Sequence, residues 1–125
     1  MSLTALLIED NEQNRYLAKF LLEKHGFTVV AATDGRSGIE IAATITPAII
    51  LLDIQLPAMD GYAVAQALRR NAALTAVPII AVTSYAMPGD REKAIASGCD
   101  GYIEKPIDPD SFVAEILQFL PSEPS

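Results

Sequence analysis

Five short runs of apolar residues recur along the chain, and several are apolar at every position instead of alternating with polar ones. They are Leu3–Ile8, Thr28–Ala32, Ala48–Leu52, Ile79–Val82 and a weaker Gly101–Ile103. A strand with one wet face alternates, whereas a strand covered on both faces need not. Between the runs, apolar residues repeat at helical spacing. Leu17, Phe20 and Leu21 share one face of the first such stretch, and Gly38, Ile41, Ala42 and Ile45 one face of the second. Val64, Ala67 and Leu68 mark the third, Ile95 a shorter fourth, and Phe112, Ile116 and Leu120 the fifth. Five strand–helix units in strict alternation predict a parallel sheet with helices on both faces, because right-handed crossovers place them there. Periodicity leaves the strand order open.

The punctuation agrees. Gly26 follows Lys24-His25 as a helix C-terminal signal, and Pro47, Pro57, Pro78 and Pro106 all fall between elements. Asp108-Pro109 reads as an N-cap with proline in the first turn of the last helix. With 125 residues the expectation is one domain over 1–120, and Pro121-Ser122-Glu123-Pro124-Ser125 reads as a disordered tail or truncated linker. Nine Lys+Arg against 16 Asp+Glu give a net charge of −7. That sign disfavours binding to nucleic acid or to anionic lipid. A single cysteine, Cys99, excludes an internal disulfide framework and fits a reducing, cytoplasmic setting. No apolar run approaches bilayer length, and the first residues lack the basic region of a signal peptide.

The informative side chains sit at strand ends. Glu9-Asp10 closes the first run, Asp53 the third and Thr83-Ser84 the fourth, and Lys105-Pro106 follows the fifth. In an open α/β sheet the carboxyl ends of the strands form the rim where ligands bind. Three carboxylates gathered there repel one another, so either one takes up a proton or a cation enters. Glu9 and Asp10, read alone, are equally well helix-capping acids. Asp53 is not, since an apolar segment and a proline follow it. An all-oxygen donor set with room for water suits Mg²⁺. A lysine and a threonine hydroxyl are groups that hold phosphoryl oxygens, and a carboxylate is able to carry a phosphoryl group covalently.

The set Glu9-Asp10, Asp53, Thr83-Ser84 and Lys105-Pro106, with Leu56-Pro57-Ala58-Met59-Asp60-Gly61 after the central aspartate, resembles the receiver domain of two-component response regulators over essentially Leu3 to Leu120. Asp10-Asn11-Glu12 and Val82-Thr83-Ser84-Tyr85-Ala86-Met87 are most similar to stand-alone single-domain regulators of cell-cycle phosphorelays and to receivers of hybrid kinases. The resemblance implies a flavodoxin-like doubly wound α/β fold with five parallel strands in the order 2-1-3-4-5 and five helices. It implies that Asp53 is the phosphoacceptor. Asp10 and Asp53 would ligate Mg²⁺ (or Mn²⁺), with the Gln55 backbone carbonyl completing the protein set and Glu9 acting mainly through water. Lys105 would pair with the phosphoryl group, ahead of a cis bond to Pro106. Thr83 and Tyr102 would form the switch, and Tyr85 would slow hydrolysis. The implied donor is a histidine kinase or histidine phosphotransfer protein, and the implied output is a protein contact on the helix 4, strand 5 and helix 5 face. Such a domain is not an enzyme toward other substrates and catalyses only its own phosphorylation and dephosphorylation.

Other readings have weaker support. A flavodoxin-like cofactor binder needs a glycine- and hydroxyl-rich phosphate loop, and Glu9-Asp10-Asn11-Glu12 would repel a phosphate. An aspartate-based phosphatase needs a second acid where Gln55 stands. A phosphorylation-independent interaction domain has no use for the intact acidic set. A receiver excised from a larger hybrid kinase or multidomain regulator would carry the same residues. His25, near a helix C-terminus, reads as a dipole contact or a solvated side chain, Cys99 as a small buried hydrophobe, and Gly35-x-x-Gly38 is too little for a dinucleotide loop.

Overall fold

The computed structural model describes residues 3–56, 59–84 and 88–120. The expectations for Tyr85 and for the 121–125 tail lie outside the described residues. Strands β1 (Thr4–Ile8), β2 (Thr28–Ala32), β3 (Ile49–Asp53), β4 (Ile79–Thr83) and β5 (Gly101–Glu104) alternate with helices α1 (Glu12–Lys24), α2 (Gly35–Ile45), α3 (Gly61–Arg69), α4 (Asp90–Ala96) and α5 (Phe112–Leu117). A short 3₁₀ turn, Ala72–Leu74, precedes β4. All pairings are parallel, in the order β2-β1-β3-β4-β5. This is the flavodoxin-like doubly wound sheet that the resemblance implies.

The unbroken apolar runs are explained by two cores, one on each face. Leu6, Ile8, Ile50 and Leu52 face one core with Ala42 of α2, Val64 and Leu68 of α3 and Ala94 of α4. Ala5, Leu7, Ile49 and Leu51 face the other with Leu21 and Leu22 of α1 and Phe112, Val113 and Ile116 of α5. Every residue of β3 and β4 is buried. The edge strands β2 and β5 are only partly so, which accounts for their weaker apolar signal.

The helical faces differ from expectation at three positions. Phe20 is half exposed and stacks on the exposed ring of Tyr16, with centroids 6.4 Å apart, while Ala18, Leu21 and Leu22 carry the packing. Ile95 is exposed, and its neighbour Ala94 is the buried residue of α4. Ile45, in the last turn of α2, is also exposed. The last helix starts later than Asp108-Pro109 suggests. The Asp108 carboxylate accepts the Asp110 amide and its carbonyl accepts those of Ser111 and Phe112, forming a turn ahead of α5.

Candidate functional site

β1 and β3 are adjacent and end at the same level, with Ile8 opposite Leu52, so Glu9 and Asp10 emerge beside Asp53. Asp53 pairs with Val82 and Thr83 with Glu104, which brings Thr83 and Lys105 to the same rim. The Lys105 amide donates to the Thr83 carbonyl at 2.7 Å, and the Lys105–Pro106 bond is cis, as the resemblance implies. Four chain segments nearly a hundred residues apart thus meet at one end of the sheet.

Glu9, Asp53 and Thr83 are buried; Asp10 is exposed. Carboxylate oxygens of Glu9, Asp10 and Asp53 lie within 4.8 Å of one another. Lys105 Nζ sits 2.6 Å from Glu9 Oε1 and 3.5 Å from Asp53 Oδ2. Asp53 Oδ1 accepts the Gln55 amide at 2.9 Å. Burial pushes the Asp53 carboxyl above the usual carboxylate range, and the Glu9 carboxyl beside it pushes the same way. The Gln55 amide and the Lys105 ammonium pull back without reversing the direction. Asp53 is therefore a buried acid with too little positive charge around it.

Capping does not account for the acids. Asn11 is the N-cap of α1, accepting the Asn14 amide at 2.9 Å, and Asp60 is the N-cap of α3. Glu9 accepts only the Asn11 amide in the loop, at 3.2 Å, and Asp10 is left to face the cleft mouth. The donor set suits a small hard cation. Magnesium binds oxygens at about 2.0–2.1 Å, so two ligands of one ion are about 3–4 Å apart. The observed cluster needs only a small contraction to reach that spacing. The Gln55 carbonyl belongs to the segment that follows Asp53 directly.

Three contacts at the rim have no counterpart in the sequence reading. The Gln55 side chain accepts the Ser84 amide at 3.1 Å, tying the loop after β3 to the residue after Thr83. Gly61 lets α3 start against the end of β3, since a side chain there would meet Ile54 and lie 2.8 and 2.9 Å from the carbonyl oxygens of Ile54 and Asp53. Arg15 of α1 donates to the carbonyl oxygens of Glu9 and Asp10. Only Gly61, directly after an aspartate N-cap, had a sequence signal. Tyr102 is half-buried against the core on the α3 and α4 side, and among the described residues its buried hydroxyl has no hydrogen-bond partner.

Comparison with known proteins places this geometry. A family model described as the response regulator receiver domain matches residues 5–117. Over 120 residues the chain is 37% identical to the polar-differentiation response regulator DivK of Brucella ovis, covering 96% of this chain and 98% of that protein. The chemotaxis response regulator CheY4 of Vibrio cholerae matches with a TM-score of 0.91 at 24% identity, covering 96% of this chain and 100% of that one, a likeness of fold. The receiver domain of a sensor histidine kinase from Pseudomonas aeruginosa PAO1 matches with a TM-score of 0.85 at 33% identity, over 94% of this chain and 96% of that one. That structure holds a magnesium ion coordinated in its active-site cleft.

Proposed function

The chain belongs to the response regulator receiver family of two-component signalling, and from that premise we propose that Asp53 accepts a phosphoryl group from a phosphohistidine. The observation that carries this reading is the buried Asp53 carboxylate, ringed by Glu9, Asp10 and Lys105 and short of positive charge. An Asp53 oxygen attacks phosphorus, the new O–P bond forms as the donor's N–P bond breaks, and the imidazole leaves with the electron pair and is reprotonated. Such transfer depends on positioning and charge neutralisation, not on a general base. Asp10, Asp53 and the Gln55 carbonyl would hold Mg²⁺ (or Mn²⁺), with Glu9 reaching it through water; the ion supplies charge neutralisation at the phosphoryl oxygens.

Lys105 would move its ammonium from Glu9 toward the phosphoryl group, and Thr83 would donate its hydroxyl to a second oxygen. Phosphorylation adds about 1.5 to 2 negative charges, enough to shift a two-state packing by drawing both residues in. Tyr102 would then repack, reshaping the α4–β5–α5 face for a downstream protein. The donor is a histidine kinase or histidine phosphotransfer protein. The domain promotes only its own phosphorylation and dephosphorylation. No helix among the described residues is long and apolar enough to cross a membrane, and the proposed location is the cytoplasm.

The test is incubation with acetyl phosphate and Mg²⁺ followed by intact mass. Wild type is expected to gain one phosphoryl group, and Asp53→Asn none. An unmodified wild type, or a modified Asp53→Asn, overturns the reading.

A further inference from the structure

Arg15 is the only cation between β1 and the end of the first turn of α1. Its Nη1 donates to the carbonyl oxygen of Glu9 at 3.1 Å and to that of Asp10 at 3.3 Å. These are the two residues that bring acidic side chains to the rim from β1. Among the described residues Arg15 makes no ion pair with a carboxylate. A guanidinium this close to several acids ordinarily forks onto one of them. Had it done so here, it would have covered oxygens that a cation needs.

Bonded to the main chain instead, Arg15 does two things. It fixes the peptide planes from which the Glu9 and Asp10 side chains emerge, at a loop whose carbonyls have left the sheet and need donors. It also keeps a permanent positive charge on the loop that carries two of the cluster's three carboxylates. Its own backbone amide is tied to the Asn11 carbonyl at 2.9 Å and Asn11 caps α1, so its base is rigid. The loop is therefore held from the helix, and the guanidinium leaves the acidic oxygens to Lys105, the loop amide and an incoming ion.

We propose that Arg15 is a positioning residue for the divalent-cation site, holding the Glu9 and Asp10 carbonyls so that the acidic side chains are set before the ion arrives. This rests on the reading of that rim as a Mg²⁺ site. Partners that orient metal ligands from outside typically change metal affinity by about 10-fold to 100-fold when removed. Mg²⁺ titration calorimetry on the full chain tests it, with Arg15→Met keeping the apolar stem and Arg15→Lys keeping the charge. The Mg²⁺ Kd is expected to rise about tenfold in Arg15→Met and by less than about threefold in Arg15→Lys. At saturating Mg²⁺ both variants should still take one phosphoryl group from acetyl phosphate, and metal-free melting should show both folded. A Kd unchanged in Arg15→Met, or a lysine variant as weak as the methionine one, overturns this inference alone. Wild type without measurable Mg²⁺ binding overturns the site reading and this inference together.

Discussion

At the amino ends of β4 and β5, Arg69 of α3 donates to the carbonyl oxygens of Gly98, Leu74 and Val77 at 2.8, 2.8 and 2.9 Å and pairs with Asp100. Asp100 in turn accepts the Ile79 amide at 2.9 Å. At the opposite end of the same sheet, Lys105 is shared between Glu9 and Asp53, and Asp10 has no cation at all within ion-pair distance among the described residues. The base gives one cation four acceptors for its five N–H groups. The rim gathers acids faster than it neutralises them. One end is built to stay as it is, and the other is left with an electrostatic deficit that an incoming ion and a phosphoryl group would relieve.

The largest effect should come from breaking the satisfied end. Arg69→Ala takes the guanidinium from three carbonyls and from Asp100, and the Arg69 side chain is mostly buried. A loss of about 3 kcal/mol is expected in urea unfolding, the upper range for hydrogen bonds from a charged group. Mg²⁺ affinity should hardly change, because the rim is untouched. A loss below about 0.5 kcal/mol, the size of an ordinary surface substitution, would show that the base is not locked.

Removing the cation of the unsatisfied end should matter less to stability and more to metal response. Lys105→Ala takes from Glu9 and Asp53 the only ammonium within ion-pair distance among the described residues. A loss of about 2 kcal/mol is expected at neutral pH without metal, reduced because the acids are able to take up protons. The loss should shrink as pH falls, and added Mg²⁺ should raise Tm more in the variant than in wild type. Equal Mg²⁺ responses would mean that Lys105 does not offset the acids.

How far each end is legible in the sequence follows from what does the bonding. The rim is built from side chains whose types announce their chemistry, placed where apolar runs stop. Glu9, Asp10, Asp53, Thr83 and Lys105 were found that way, and the structure brings all five to one end. Their roles, and the strand order, came from the resemblance and not from spacing. The base is invisible because Arg69 bonds mainly to carbonyls, which every residue has. Gln55 was singled out for its carbonyl, while its amide side chain reaches Ser84 across 29 positions, a contact no local pattern encodes. Phe20 and Ile95 were misplaced because helical spacing leaves two candidate faces on short amphipathic helices, and seven residues of α4 give too few repeats to choose.

A gain should follow from easing the deficit itself. Asp53 has a folded pKa raised above its unfolded value. Its contribution is fully present below the unfolded pKa, near 4, and is lost as pH rises through the raised folded value. Metal-free wild type should therefore lose stability over that window, and Asp53→Asn, which has no charge to bury, should not. At neutral pH the variant should be more stable by on the order of 1 kcal/mol. Mg²⁺ should stabilise wild type and leave Asp53→Asn nearly unaffected. A variant less stable than wild type at pH 7 without metal would remove the deficit from the comparison.

The smallest effect separates burial from charge as the cause of the contrast. Lys93 of α4 lies over the Tyr62 ring of α3, 4.5 Å from its centroid. Lys93 is exposed and Tyr62 only partly buried, so this contact keeps its water. Lys93→Ala should cost about 0.5 kcal/mol in urea unfolding, the range for a solvated cation–π contact, with no change in Mg²⁺ affinity. If charge count alone set the behaviour of the two ends, removing any one cation from a chain of net charge −7 would weaken folding and tighten Mg²⁺ binding alike. A Lys93→Ala effect as large as that of Lys105→Ala would favour that view. A small one assigns the difference to desolvation at the rim, where an uncompensated charge has no water to turn to.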